Sequence, residues 1–251
     1  NKENKENKEN KENKENKENK IKKIKKMSKM RIEISKNLIK SKLKTASLTT
    51  FNEVDMNNVI KIKNKYKDIF YEKYNVKLGF MSFFVKAVTN SLIKFPIINS
   101  IIKKKNIINF KYYDIGIAIN TKRGLIVPII RNTNLMSIDK IEKKIDKFIY
   151  KANNNKLLLK HLINGTFTIT NGGIFGSLLS TPIINYPQSS ILGIHSIQNR
   201  PIVKNNKIII RPMVYLALSY DHRLIDGKDA ILFLKSIKEF IENPIKLLLN
   251  I

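Results

Sequence analysis

The spacing of apolar residues changes sharply along the chain. Residues 1–20 repeat Asn, Lys and Glu with no apolar side chain, whereas an apolar helical period begins near Met27. A segment without apolar side chains cannot bury enough surface to offset the entropy of ordering. The pattern therefore predicts a disordered low-complexity linker over 1–26, followed by one folded domain over 27–251 with its own core.

Helical spacing of apolar residues recurs through this domain. The first predicted helix begins near Met27 and ends after Ile39. The others cover 55–74, 82–94, 137–153 and the stretch after Asp226. In the first helix, one face carries the side chains of Met30, Ile34, Leu38 and Ile39. Asp55 and Asp226 stand where a carboxylate can cap a helix, and Pro96 ends the third helix because proline lacks an N–H.

Alternating and β-branched runs predict strands between these helices. The predicted strands cover 48–54, 113–120, 125–131, 166–171, 189–197, 201–203, 208–210 and 213–220, with a turn at 121–124. Helices and strands mix without a regular βαβ repeat. We therefore expect an α/β (α+β, two-layer) fold in which helices cover a mixed sheet.

The large net charge of the chain does not by itself predict a nucleic-acid-binding protein. The formal net charge is +28, and its lysines lie scattered among Asn and Ile. Compositional drift is favoured over nucleic-acid binding, because we find no basic helix with interleaved aromatic residues and no DNA- or RNA-binding motif. A scaffold or nucleic-acid-binding protein stays open as a third interpretation, and we expect no nucleic-acid partner.

The missing cysteines narrow the chemistry. Without cysteine the chain has no disulfide, no thiolate metal site and no thiol nucleophile, so thiol chemistry must come from a substrate or cofactor. His161, His195 and His222 form no metal-ligand spacing, and we predict no metal. The chain lacks an apolar run long enough to span a bilayer, and it starts at Asn1, so we expect a soluble, truncated chain without a membrane partner.

The candidate chemistry lies at 219–227, with the sequence SYDHRLIDG, at the end of the last predicted strand. A free histidine has a pKa of about 6.5, so His222 suits a general base near neutral pH. Such a base helps a thiol of pKa about 8.5, which is only a few per cent thiolate at pH 7. Alternatively, His222 is structural or solvated, and Asp226 is a helix cap that Asp229 reinforces.

The full string SYDHRLIDG resembles the active-site signature of the dihydrolipoamide acyltransferases of 2-oxo acid dehydrogenase complexes, and chloramphenicol acetyltransferase carries a shorter form. LTTFNEVDM, LGFMSFFVKAV and GTFTITNGGIFGSLLSTPIINYPQSSILGIHSI, with residues 242–249, extend the resemblance over most of 27–251. These blocks are similar to the succinyl-transferring branch. The resemblance implies a chloramphenicol-acetyltransferase-like fold and succinyl transfer between dihydrolipoamide and CoA in the tricarboxylic acid cycle. An acetyl or branched-chain acyltransferase, or a free-standing CoA acyltransferase with a small acceptor, stays open.

The resemblance also assigns roles to single residues. His222 would deprotonate the thiol, Thr170 would donate a hydrogen bond to the oxyanion, and Asp226 would hold the site together. In the chloramphenicol enzyme the matching aspartate pairs with an arginine near the first helix, which implies Arg31 here. An ordinary surface cation is at least as good an interpretation of Arg31.

Without the resemblance, other interpretations hold for the neighbouring residues. Thr166, Thr168 and Thr170 alternate on one strand face, which indicates only a solvated or partner-facing surface. The sequence Asn-Gly-Gly at 171–173 predicts a turn. We expect His195 to be a satisfied core or partner-facing residue and His161 to be solvated.

The resemblance further implies an assembly. The site would form between subunits of a homotrimer that builds a larger hollow core, with the 2-oxoglutarate decarboxylase component and dihydrolipoamide dehydrogenase as partners. CoA would be a substrate, and the lipoyl-lysine would lie on a domain not present in this chain. We expect a cytoplasmic protein in a bacterium, or a mitochondrial matrix protein in a eukaryote.

Overall fold

The computed structural model describes Lys8 and residues 24–121 and 124–249. The predicted linker over 1–26 lies outside these residues except for Lys8 and 24–26, and so do residues 122 and 123 of the predicted turn. The chain divides into two units, Asn1–Lys36 and Asn37–Ile251. In the first unit, Ser28 Oγ accepts the N–H of Arg31 at 3.2 Å, close to the start of the first described helix.

The helices of the described chain are α1 (Lys29–Lys44), α2 (Asn57–Tyr74), α3 (Met81–Lys94), α4 (Ile138–Asn153), α5 (Gly227–Glu242) and α6 (Pro244–Leu249). The strands are β1 (Ser47–Asp55), β2 (Ser100–Lys103), β3 (Asn106–Asn109), β4 (Ile115–Ile117), β5 (Ile119–Thr121), β6 (Gly124–Ile126), β7 (Ile129–Ile130), β8 (Phe167–Asn171), β9 (Ser190–Ile194), β10 (Gln198–Lys204) and β11 (Lys207–Asp221). Of the described helices, none combines the length and apolar character needed to cross a membrane.

A seven-stranded mixed sheet organises the second unit. Its strands lie in the order β1-β11-β9-β8-β4-β7, and β10 pairs with β11 outside this path. Strand β8 runs parallel to β4 and β9, whereas the other pairs are antiparallel. Two hairpins, β2-β3 and β5-β6, stand apart from the sheet. The predicted mixed sheet with helices is confirmed.

The core lies where helices cover one face of this sheet. Side chains of alternate residues in β11 enter the core, as strand geometry requires; they are Val214, Leu216, Leu218 and Tyr220. Helix α5 meets them with apolar residues at helical spacing. Across this layer, the rings of Phe167 in β8 and Phe233 in α5 lie 5.7 Å apart.

An irregular segment at 177–188 covers part of the opposite face. Ile184 is buried, and its carbonyl accepts a hydrogen bond from the Ser41 hydroxyl at 2.5 Å. Close packing extends to Gly193, where an added Cβ would lie 3.3 Å from Pro182. The second face is therefore partly buried and carries many polar side chains.

The β2-β3 hairpin was not predicted, and the predicted strand 113–120 divides into β4 and β5. Two prolines account for two further differences from the predicted strands. The predicted strand 125–131 divides into β6 and β7 around Pro128, which cannot donate to a ladder. The predicted strands 208–210 and 213–220 instead merge into β11 through Pro212. The Pro212 carbonyl accepts the N–H of Met56 at 2.8 Å, so its missing N–H faces the side where β1 has ended. No ladder bond is lost there, and the strand continues.

The predicted helix ends are mostly confirmed, but one apolar face is not buried. Asp55 precedes α2 by two residues, and its carboxylate accepts the N–H of Asn57 at 2.9 Å. In α1, Leu38 and Ile39 are 44% and 58% exposed. The helical spacing is correct there, but both side chains stay largely exposed.

Candidate active site

His222 follows the last residue of β11 and begins a tight turn into α5. The N–H groups of Leu224 and Ile225 both donate to the Asp221 carbonyl at 3.0 Å, which forms this turn. The His222 N–H donates to the Ala46 carbonyl at 2.9 Å, so the backbone is held from the β1 side. His222 itself is exposed.

An ion pair flanks His222 on both sides. The Asp221 carboxylate is 5% exposed and accepts bonds from Arg223 Nε at 2.9 Å and Nη2 at 2.6 Å, in a fork–fork geometry. It also accepts the Ala46 N–H at 3.2 Å. Burial alone would raise the pKa of Asp221, but the hydrogen bonds and charge of Arg223 lower it below its ordinary value. The carboxylate is therefore charged and fixes the residues on either side of His222.

This ion pair was not predicted from the sequence. The available signal was the Asp-His-Arg order, because residues two apart at a strand end point to the same side and can pair around the residue between them.

Tyr220 lies beneath the site. Its ring is buried in the core, and its centroid is 5.7 Å from that of His222. The pKa of Tyr220 is raised, first by burial and then by the negative charge of Asp226. A Cβ added at Gly227 would lie 3.8 Å from the Tyr220 hydroxyl. The start of α5 is thus packed against the base of the site.

Asp226 occupies the predicted N-cap position of α5, with the extended backbone typical of that position. Its side chain makes no capping hydrogen bond, so the predicted capping bond is wrong. The carboxylate still lies at the positive end of the helix dipole, together with Asp229 in the first turn. Its exposed position leaves it available for another partner.

Thr170 lies in β8 and is half-buried, opposite Gly193 of β9. The threonines before it are fully buried, so the predicted solvated face is wrong for them. Thr168 donates to Gln188 Oε1 at 2.6 Å, because the end of the 177–188 segment lies over it. Thr166 shares hydrogen bonds with the backbone of Asp114. Of the three, Thr170 is the one that keeps an exposed fraction.

The predicted turn after β8 is confirmed. Asn171 Oδ1 accepts the N–H of Gly173 at 3.0 Å, an Asx turn. A Cβ at Gly173 would lie 2.1 Å from the His195 carbonyl oxygen, so only glycine fits there. Gly176 has φ +82°, in the left-handed region that favours glycine.

The sheet register separates His222 from Thr170 within one chain. Thr170 is level with Gly193, and Gly193 is level with Ala217 of β11. Asp221 lies four residues beyond Ala217, which is about 13 Å along the strand at roughly 3.3 Å per residue. Two strand spacings add about 10 Å across the sheet. The two predicted catalytic residues are therefore not brought together in a single chain.

The other histidines have structural partners. His195 is buried, its Nδ1 lies 2.9 Å from the Tyr215 carbonyl oxygen, and its Nε2 accepts the Ser180 N–H at 2.8 Å. Because Nε2 is an acceptor, Nδ1 carries the proton. His195 is thus the satisfied core residue that was predicted. His161 has intermediate exposure and packs against Phe148, at 5.8 Å between ring centroids, so its side chain is partly solvated.

Arg31 lies in the first unit, and its pairing with Asp226 stays a prediction. Loss of turnover in Arg31→Ala would support the pairing, and wild-type turnover would exclude it. Within residues 24–121 and 124–249, no three His, Cys, Asp or Glu side chains gather in a group that could hold a metal ion.

Residues 19–249 match the family model described as 2-oxoacid dehydrogenases acyltransferase (catalytic domain). The chain is similar to the dihydrolipoyllysine-residue succinyltransferase component of the 2-oxoglutarate dehydrogenase complex of Cupriavidus necator, with 54% identity over 222 residues. That match covers 88% of this chain and 53% of the relative. A relative of the same name from Buchnera aphidicola (subsp. Baizongia pistaciae) is 53% identical over 88% of this chain and 54% of its own length. The chain thus spans about half the length of the curated relatives it matches.

Solved structures agree with this match. A probable dihydrolipoamide acetyltransferase from Listeria monocytogenes has a TM-score of 0.87 and 37% identity, over 89% of this chain and 95% of that one. The dihydrolipoamide acetyltransferase of Azotobacter vinelandii, studied for a serine, a histidine and an asparagine in its catalytic mechanism, also has a TM-score of 0.87, with 30% identity over 91% of this chain and 96% of that one.

A chloramphenicol acetyltransferase, at 13% identity and a TM-score of 0.52 over 82% of this chain and 94% of that one, confirms the predicted fold. The chain belongs to the family of 2-oxoacid dehydrogenase acyltransferases, whose catalytic domain it matches over residues 19–249.

Proposed function

We propose that the chain is an acyltransferase core domain that moves a succinyl group between dihydrolipoamide and CoA. The exposed His222 between the paired Asp221 and Arg223, at the end of β11, is the observation that carries this proposal. The choice of succinyl rests on the curated relatives, which are named succinyltransferase components of the 2-oxoglutarate dehydrogenase complex.

In this mechanism His222 takes the proton of the attacking thiol. The thiolate adds to the thioester carbonyl, the Thr170 hydroxyl donates a hydrogen bond to the oxyanion, and the C–S bond to the leaving thiol breaks. The protonated imidazole returns its proton to that leaving thiolate, so protons and acyl group balance. Asp226 supports the site from the start of α5.

Residue spacing in the Azotobacter enzyme supports these roles. There the serine precedes the histidine by 52 positions, and the asparagine follows it by four. Thr170, His222 and Asp226 have the same two spacings. A threonine keeps the hydroxyl donor of serine, and an aspartate keeps the size and acceptor of asparagine.

The separation of Thr170 from His222 within one chain supports a site shared between copies. We propose that each site takes His222 from one subunit and Thr170 from its neighbour in a homotrimer. Exposed apolar side chains are present for such a contact; they include Leu38, Leu43 and Phe51. A solved neighbour at 30% identity is the cubic core of a pyruvate dehydrogenase complex, which is consistent with trimers that build a larger hollow core.

The partners follow from the same proposal. CoA is one substrate, and a lipoyl-lysine presented by a lipoyl domain carries the acyl group. The 2-oxoglutarate decarboxylase component would load that lipoyl group, and dihydrolipoamide dehydrogenase would reoxidise it. A bacterial protein would work in the cytoplasm, and a eukaryotic one in the mitochondrial matrix.

An acyl-preference assay tests the reaction. Purified protein is given succinyl-CoA or acetyl-CoA with dihydrolipoamide or chloramphenicol as the acceptor, and CoA release is followed. Succinyl transfer to dihydrolipoamide should dominate. A preference for acetyl-CoA would assign the chain to another branch, and transfer to chloramphenicol would favour a free-standing acyltransferase.

Subunit mixing tests the shared site. His222→Ala should lower turnover by about 10²–10⁴, and Thr170→Val by about 10²–10³. Co-expression of the two variants should restore about one quarter of the sites, because random trimers place an intact His222 beside an intact Thr170 at that frequency. Turnover of the mixture that merely averages the two variants would exclude a shared site, and His222→Ala within twofold of wild type would exclude the catalytic assignment.

A further inference from the structure

Helix α4 presents a row of lysines that the acyl-transfer chemistry does not use. Its apolar residues Ile141, Ile145, Phe148 and Ala152 are buried. On another side, lysines recur at i, i+4, i+7 and i+11, the spacing of one helical face. This lysine stripe consists of Lys140, Lys144, Lys147 and Lys151. It spans about 16 Å along the helix axis.

The stripe has no carboxylate to balance it. Asp139 of the same helix lies on a different side and pairs with Lys143, at 3.9 Å. Among residues 24–121 and 124–249, no carboxylate oxygen lies within 4.0 Å of any of the four lysine ammonium groups. The stripe is exposed apart from the half-buried Lys151. It therefore forms an uncompensated line of positive charge.

The positive charges of the stripe act on His161, which lies in the segment after α4. The imidazole packs against Phe148, and its Nδ1 accepts the N–H of Leu158 at 3.0 Å. Its pKa is lowered, first by burial and then by positive charges on Lys151, Lys160, Lys144 and Lys147. Three of these lysines belong to the stripe, and Lys160 extends it beyond the helix.

Apolar side chains stand beside these charges. Leu158 and Leu159, next to Lys160, are 55% and 72% exposed, and Tyr150 lies beneath the ammonium group of Lys156, at 5.8 Å from its ring centroid. Helix α4 is thus a basic helix with an aromatic residue, Tyr150, between its lysines, contrary to the expectation from the sequence. A nucleic acid bound here would place charged phosphates against the two leucines, which is unfavourable. An amphipathic acidic helix would instead pack its own apolar side chains on them.

We propose that the lysine stripe, with Lys160 and the neighbouring leucines, binds an acidic amphipathic helical segment of another protein. A helix with Glu at i, i+4, i+7 and i+11 matches the stripe in spacing and length, and its leucines would lie on Leu158 and Leu159. This site is independent of the proposed acyl transfer.

The probe is a 16-residue helical peptide with Glu at that spacing and Leu on the adjacent face, and the control peptide has the same composition in scrambled order. Fluorescence anisotropy follows binding to the full chain at 0.05 M and 0.3 M NaCl. The patterned peptide should bind at least tenfold more tightly than the scrambled one and weaken as salt rises.

Charge reversal locates the site. Lys144→Glu, Lys147→Glu and Lys151→Glu together should lower the affinity at least tenfold. The matched control reverses three exposed lysines of α2, at positions 61, 65 and 67, and should change the affinity less than twofold despite the same change in net charge. Unfolding temperature checks that both variants fold, and the corresponding triple Gln variants replace any variant that does not.

His161 reports occupancy directly, because neutralised lysines no longer disfavour its protonated form. Its pKa, followed by NMR of the ring protons, should rise when the patterned peptide binds and also in the stripe variant. The proposal would be overturned if the stripe variant and the α2 control variant lost the same affinity for the peptide. It would also be overturned if the His161 pKa did not change at saturating peptide. Tighter binding of a 16-nucleotide single strand at equal salt would assign the stripe to nucleic acid instead.

Discussion

Replacement of Asp221 by Ala removes the anchor beside the proposed base. The change leaves the guanidinium of Arg223 and the N–H of Ala46 without their carboxylate acceptor. Loss of one partner from a buried ion pair costs about 3–5 kcal/mol. Arg223 is 47% exposed, and water replaces part of what it loses, so we expect the free energy of unfolding to fall by about 2–3 kcal/mol. For a chain of this size that corresponds to a drop in Tm of about 4–12 °C.

Urea unfolding at two pH values measures this loss. The folded-state pKa of Asp221 is lowered, so its stabilisation is fully present above the unfolded pKa of about 3.9 and is lost as pH falls through the folded value. The difference between wild type and Asp221→Ala should therefore be largest at pH 7 and shrink below about pH 3.9. Asp221→Asn, which keeps the shape and one acceptor oxygen, should lose about half as much.

Turnover gives a second measurement on the same variant. If Asp221 also positions His222, kcat should fall in conditions where the variant is still folded, with little change in KM.

In the unfolding experiment, a stability loss of Asp221→Ala under about 0.5 kcal/mol at pH 7, or one equally large at pH 3, would refute the ion-pair reasoning.

Three further substitutions test buried contacts of the fold. Thr168→Val should cost about 1–3 kcal/mol in urea unfolding, because the buried Gln188 Oε1 loses its donor; a neutral effect would contradict this. Burial raises the pKa of Glu142, so its contribution to stability falls as pH rises through the folded value. Glu142→Gln should therefore gain stability relative to wild type from pH 4 to 8, and a constant difference would argue against it. Gly173→Ala should cost about 3 kcal/mol or more by thermal unfolding, since its Cβ would meet the His195 carbonyl; an unchanged Tm would count against that contact.

Local patterns predicted most of the helices, because burial on one side imposes a repeat that a single sequence displays. Helix α5 shows this with Ala230, Phe233 and Leu234 at helical spacing. The same rule could not tell that Leu38 and Ile39 stay exposed, since an apolar stripe looks alike whether its own chain or another surface covers it. Helical spacing therefore does not predict which surface, if any, covers the apolar side of a helix.

The strands were harder, because their limits depend on neighbours that are distant in sequence. Pro212 predicts a strand end, because proline cannot donate a ladder hydrogen bond. It lies beyond the end of β1, however, and β11 continues through it. Thr166 and Thr168 alternate like a solvated face, but both are buried. Thr168 bonds to Gln188 of the 177–188 segment, and Thr166 bonds to the backbone of Asp114. Neither fact follows from local composition.

For the site, the string around His222 marked the base, and TFTITNGG marked Thr170 through the family resemblance. The distance between the two residues could not be predicted, because it depends on the register of β8, β9 and β11. The pairing of Asp221 with Arg223 was visible as a charge pattern but needed the turn geometry to gain a function.

Strand β11 also shapes how the protein behaves in solution. Beyond Pro212 it continues into a hairpin with β10, and one face of that hairpin carries Val203, Ile208 and Ile210, which are 74%, 78% and 75% exposed. Exposed β-branched side chains on a hairpin are a common source of aggregation. The strand that leads to His222 at one end therefore carries exposed apolar residues at the other, and aggregation of the isolated chain should begin at that surface.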